Sequence, residues 1–139
     1  MAYWLIKSEP EAFSWDEQVR NDVEPWTGVR NYQARNNLAA MRCGDLALFY
    51  HSVSEKQIVG VVEVVKEAYP DPTTQDERWV CVDVRAKGAF LTPVTLAEIK
   101  ADPALVEMAL LKQSRLSVAP VTHIEFQYLT HLGGWVAAQ

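Results

Sequence analysis

The chain has 139 residues, 49% of them hydrophobic and 22% charged, with a formal net charge of -5. This length and composition predict one globular domain with a single core and exclude a disordered chain. The acidity argues against nucleic acid as a partner unless positive charge is sorted locally. In chain order, "YWLIK" at 3–7 predicts a first strand, and the capping box Ser14 with Glu17 predicts a short helix near "SWDEQVRN". "RNYQARNNLAAMR" is helical in composition over its second half and is expected to stop at Cys43-Gly44-Asp45, where glycine suits a C-terminal turn. "LALFYHS" at 46–52 and "IVGVVEVVKEAY" at 58–69 read as strands, joined through "VSEKQ" as a hairpin. The second is expected to be central, because it is apolar on both faces except at Gly60 and Glu63. "YPDPTTQDER" is turn-rich, and "RWVCVDVRA" alternates as another strand. Thr95 with Glu98 and Thr122 with Glu125 place helices at "LAEIK" and "HIEFQYLTHL", and "RLSVAPV" between them predicts an edge strand. Five or six strands with helices inserted, in no repeating βαβ order, predict an α+β fold: a small curved barrel with peripheral short helices, in one domain over residues 1–139.

Several function classes find no support. The most apolar run, "IVGVVEVV", is too short to span a bilayer and contains Glu63. "MAYWLIKSEP" has no basic region ahead of its apolar residues, so no secretory signal is expected. Cys43 and Cys81 form no CxxC pair and are read as reduced thiols of a cytoplasmic protein. No GxSxG, P-loop, GxGxxG or zinc-deaminase pattern occurs. His123 and His131 are not at the i, i+4 spacing of a helical metal pair, and neither a metal nor a cofactor is expected. His51 and Ser52 are neighbours on a strand and point to opposite faces, so they make no dyad.

Charge is unevenly distributed. Residues 25–44 hold Arg30, Arg35 and Arg42 and no acid, and residues 108–124 hold Lys112 and Arg115 and no acid, while the rest of the chain carries a local -10. Four polar-aromatic segments, "KSEP", "WTGVRNYQARN", "FYHS" and "SRLSV", stand where strands should end. A barrel can bring them together at one mouth.

The blocks "YWLIKSEP", "WTGVRNYQARNNLAAMRCGDLALFYHS", "IVGVVEVVKEAYPDPT", "RWVCVDV", "PVTLAEIK" and "MALLKQSRLSVAPVT" closely resemble the EVE domain family, in family order and over nearly the whole chain. The resemblance implies a PUA-like fold similar to YTH domains. It also implies a non-catalytic reader of modified nucleobases, such as methylated or hydroxymethylated cytosine, in DNA or RNA. The chain departs from the family pattern in two places. Only "TQDE" separates Thr73 from Arg78, where the family often has a longer loop, and Phe126 stands where it often has tryptophan.

A base reader needs an unstacked base and a ring to receive it. Trp26, ahead of Gly28 in a loop, is the expected platform, whereas Trp4, Trp15 and Trp79 are expected in regular, buried elements. Lys7, Ser8 and Glu9 match the family motif that ends the first strand, and the Glu9 carboxylate suits an exocyclic amino group. Asn31 offers an amide to a base edge or, alternatively, a cap to the helix that follows; Tyr32, His51, Ser52 and Ser117 are candidate pocket walls. Arg30, Arg35 and Arg115 are candidate phosphate contacts. The partner expected is nucleic acid carrying a modified base, bound by a monomer with no membrane attachment, in the cytoplasm (at the nucleoid in a bacterium, in the nucleus in a eukaryote). The alternative is an ASCH-like enzyme acting on RNA or nucleotides.

Overall fold

The computed structural model describes residues 1–136. Six strands form one sheet: β1 (Tyr3–Ser8), β2 (Val23–Pro25), β3 (Leu46–His51), β4 (Gln57–Pro70), β5 (Val80–Thr95) and β6 (Val118–Val121). Their order across the sheet is β2-β5-β4-β3-β1-β6. The helices are α1 (Trp15–Asn21), α2 (Tyr32–Ala40), α3 (Leu96–Ala101), α4 (Ala109–Lys112) and α5 (His123–Gly133), with a 3-10 turn at Pro103–Leu105. All neighbouring strands run antiparallel except β1 and β3, which pair in parallel from Tyr3↔Leu46 to Ser8↔His51. A parallel pair needs a crossover, and α1, β2 and α2 supply it.

The expected barrel is corrected here: β2 and β6 end the sheet without pairing to each other, so it is curved but open. The curvature follows from the β4–β5 ribbon, whose register shifts four times. A bulge adds residues to one strand and bends it. Between Ile58↔Val94 and Gly60↔Ala89 the extra residues of β5 include Pro93, which has no N–H to give a ladder.

Both faces of the sheet are covered, which is why the central strands read as nearly continuous apolar runs. On one face Trp4, Ile6, Phe49, Val62 and Val82 pack with Trp15 and Leu38 of α1 and α2. On the other, Leu5, Leu48, Val61 and Phe90 pack with Ile99, Leu110 and Leu129 of α3, α4 and α5. Alternation along β1 and β3 sends each side chain to the opposite face from its neighbour. At Gly60 the Trp15 ring lies so close that an added Cβ would come within 2.6 Å of it, so only glycine lets α1 seat on β4.

All three capping boxes form, with Ser14, Thr95 and Thr122 each accepting from the N–H three residues on. Helix α2 stops at Ala40, earlier than expected, because the Asp45 carboxylate takes the Arg42 N–H at 3.0 Å and Gly44, at φ +94°, turns the chain into β3. Asp45 also accepts from the Trp4 indole and the Ala2 N–H, both at 3.1 Å, pinning the start of β1.

Candidate nucleic-acid interface

Where β1 ends, the loop after β2 arrives from one side and the segment before β6 from the other. They enclose a cavity of about 420 Å³. Its wall includes Phe13, Trp26, Thr27 and Val29, and its polar groups come from Lys7, Ser8, Glu24, Arg30 and Ser117. Trp26 is only 8% exposed, set edge-on to Phe13 and Phe49 at ring-centre distances of 6.0 and 5.5 Å. Its N–H donates to the Val82 carbonyl at 2.7 Å, tying the loop to β5. Trp26 is thus a core ring whose remaining surface forms part of the cavity wall.

Lys7 is half-buried. Its amide donates to the Ser117 carbonyl at 3.0 Å and its Nζ to the Ser114 carbonyl at 2.8 Å. Burial pushes its ammonium below the ordinary lysine range. Ser8 Oγ donates to the Phe13 carbonyl at 2.6 Å, which draws Phe13 over the end of β1.

Asp71 holds the rim. Its side chain is fully buried, and it accepts from the Gly28 N–H at 2.8 Å, from Arg30 at 3.0 Å, and from the N–H and hydroxyl of Thr73 at 2.8 and 2.6 Å. Burial alone would raise its pKa, but the Thr73, Gly28 and Arg30 donors outweigh that cost and hold the carboxyl well below the usual carboxylate range. Gly28 has φ +85°, a conformation that suits glycine and aims its N–H at Asp71. Arg30 also donates to Thr73 Oγ1 at 3.0 Å and lies over the Trp79 ring. The turn-rich loop therefore orients the loop that carries Trp26 and Arg30.

A second depression of about 310 Å³ is lined by Asn31, Gln33, Gln113, Ser114, Arg115 and Leu116. Lys7 bonds to Ser114 in its wall, and Arg30 is the chain neighbour of Asn31, so the two hollows adjoin.

The family model described as EVE domain matches residues 2–132. The chain belongs to the EVE domain family. Thymocyte nuclear protein 1 of Gallus gallus is 39% identical over 94% of this chain and 68% of its own length. A protein of Rhodopseudomonas palustris, known from an NMR structure, is 51% identical with a TM-score of 0.93, covering 99% of this chain and 97% of that one. Human THYN1, solved in complex with DNA containing 5-methylcytosine, is 35% identical with a TM-score of 0.89, covering 98% of this chain and 99% of that one. The open, curved α+β sheet is the PUA-like fold of this family.

Within this EVE domain the structure gathers Lys7, Ser8, Trp26, Arg30 and Ser117 around one cavity, with Asn31 and Arg115 in the adjoining hollow. Asn31 caps α2, its Oδ1 accepting from the Ala34 N–H at 3.0 Å. Glu9 sits exposed on the turn after β1, its carbonyl accepting from Ala12 and Phe13, outside the cavity lining. His51 lies beneath α1: its Nε2 accepts from the Trp15 N–H at 3.0 Å and its Nδ1 pairs with Glu55 at 2.7 Å, which fixes the tautomer with the proton on Nδ1. Ser52, past the end of β3, gives its N–H to the Ser8 carbonyl and supports the site from behind. Tyr32 and Arg35 serve the rim loop: Arg35 lies over the Tyr32 ring and donates to the Arg78 carbonyl, and Tyr32 packs on Trp79 and accepts from Arg78.

Residue-type reasoning passed over Phe13, Glu24, Thr27 and Asp71. The Asp71-Pro72-Thr73 turn was the available signal for Asp71, since aspartate before such a turn accepts from the backbone two residues on. Glu24 had none, because a three-residue strand shows no period.

Proposed function

We propose that this EVE domain is a non-catalytic reader that takes one unstacked, modified nucleobase of DNA or RNA into the cavity beside Trp26, with methylated or hydroxymethylated cytosine as the modifications favoured. The observation that carries the reading is an aromatic-walled cavity with Lys7 and Arg30 at its edge, in a chain like human THYN1, which has been solved with 5-methylcytosine-containing DNA. A volume of about 420 Å³ suits a base and part of its sugar. Apolar contact with a ring contributes about 1–3 kcal/mol per base. An extra methyl adds about 1–3 kcal/mol in an apolar pocket, so selectivity for the modification is modest. Arg115, exposed in the adjoining hollow, meets the phosphate of the neighbouring nucleotide, and the segments free of carboxylates are those the strand approaches. The reader acts as a monomer where nucleic acid is found; among the described residues no helix is long and apolar enough to cross a membrane.

Anisotropy titrations of single- and double-stranded oligonucleotides, with and without 5-methylcytosine, test this. The native protein is expected to prefer the modified strand by several-fold. Trp26→Phe, which keeps most of the buried apolar contact, is expected to weaken binding by about 1 kcal/mol, roughly fivefold. Equal affinity for modified and unmodified strands, unchanged in the variant, overturns the reading.

A further inference from the structure

Glu24 and Lys7 line the same cavity, yet they form no ion pair with each other or with any other described residue. Lys7 Nζ spends one proton on the Ser114 carbonyl and keeps two. Glu24 Oε1 accepts from Asn21 Nδ2 at 3.1 Å, which orients the carboxylate, and Oε2 has no partner among the described residues. Three other polar groups here are engaged. Arg30 is held by Asp71, Thr73 and the Val29 carbonyl, Ser8 donates to Phe13, and the Gly28 N–H goes to Asp71. Glu24, in β2, and Trp26, in the loop just past its end, both line this cavity. A carboxylate with one unpartnered oxygen and an ammonium with two protons left to give thus belong to residues that line one base-sized space from different strands.

We propose that Glu24 selects bases carrying an exocyclic amino group, a reading that rests on the reader function above. The carboxylate accepts from the amino group while Lys7 donates to an adjacent ring nitrogen or carbonyl on the same base. Cytosine and 5-methylcytosine present an amino donor at C4, a position that carboxylates read. Thymine and uracil present a carbonyl oxygen there, so two acceptors confront each other and both lose their hydration without a bond. The pair 5-methylcytosine and thymine isolates this effect, because both carry the 5-methyl group and they differ along this edge. The domain would therefore tell a methylated cytosine from the thymine that deamination makes of it.

The test uses labelled single strands with one central base, 5-methylcytosine or thymine, flanked by abasic spacers, titrated against native protein, Glu24→Gln and Asn21→Ala. Thermal melting checks that each variant is folded. Native protein is expected to bind the 5-methylcytosine strand about tenfold tighter than the thymine strand. Glu24→Gln, whose amide offers a donor as well as an acceptor, is expected to bring the ratio close to one, and Asn21→Ala, which frees the carboxylate, to an intermediate value. A ratio retained in Glu24→Gln, or no preference in the native protein, overturns the assignment while leaving base reading intact. Failure of the native protein to bind either strand overturns the reader function itself.

Discussion

Replacing Asp71 by alanine strips the Gly28 amide, the Thr73 amide and hydroxyl, and Arg30 of a shared acceptor. Each buried donor left unpaired costs about 1–3 kcal/mol, although the half-exposed Arg30 recovers water. Asp71→Ala is therefore expected to lower stability and to weaken oligonucleotide binding, since the segment bearing Trp26 and Arg30 loses its anchor. The pH dependence has a definite sign. Because the folded-state pKa lies below the ordinary 3.8, the stabilisation is fully present above that value and is lost as pH falls through the folded one. In melts between neutral pH and pH 3, the gap between native protein and Asp71→Ala is expected to narrow at the acid end; a constant gap would contradict the assignment. The site was partly legible in the sequence. Lys7, Ser8, Trp26, Arg30 and Ser117 stood in motifs, whereas Asp71 acts through other residues and Glu24 shares a cavity with Lys7 only because the sheet folds them together.

Among the elements, those announced by local chemistry were legible and those created by pairing were not. Three capping boxes gave the starts of α1, α3 and α5, and aromatic and β-branched content gave β3 and β4. Strand β2 exists because Val23, Glu24 and Pro25 lie along β5, and no period is visible in three residues. The extension of β5 through Gly88 and Pro93 to Thr95 was hidden because the bulge that accommodates the proline depends on the register of β4. The caps allow a separation of stability from function. Thr122 starts α5, which packs on the sheet face away from Trp26. Thr122→Ala is expected to cost about 1 kcal/mol and a few degrees in melting temperature. Binding by the folded variant should match that of native protein. A loss of affinity in Thr122→Ala would mean that the two faces are coupled.

Over the whole molecule, a net charge of -5 coexists with two acid-free segments carrying the exposed residues Arg30 and Arg115. Repulsion from the rest of the surface limits how long a strand can be tracked, so the footprint is expected to be short. With two or three phosphates engaged, the slope of log affinity against log salt is about -1.5 to -2 for a single strand, and Arg115→Ala should reduce its magnitude by about 0.7. A salt-independent affinity would remove phosphate contact from the account. The pairing of β1 between β3 and β6 has a consequence of its own. The Lys7 amide is bonded to the Ser117 carbonyl, so the hollow takes residues from both the early and the late parts of the chain. A chain truncated before Ser117 is therefore expected to lack a complete hollow and to bind no oligonucleotide, which a titration of the truncated protein checks.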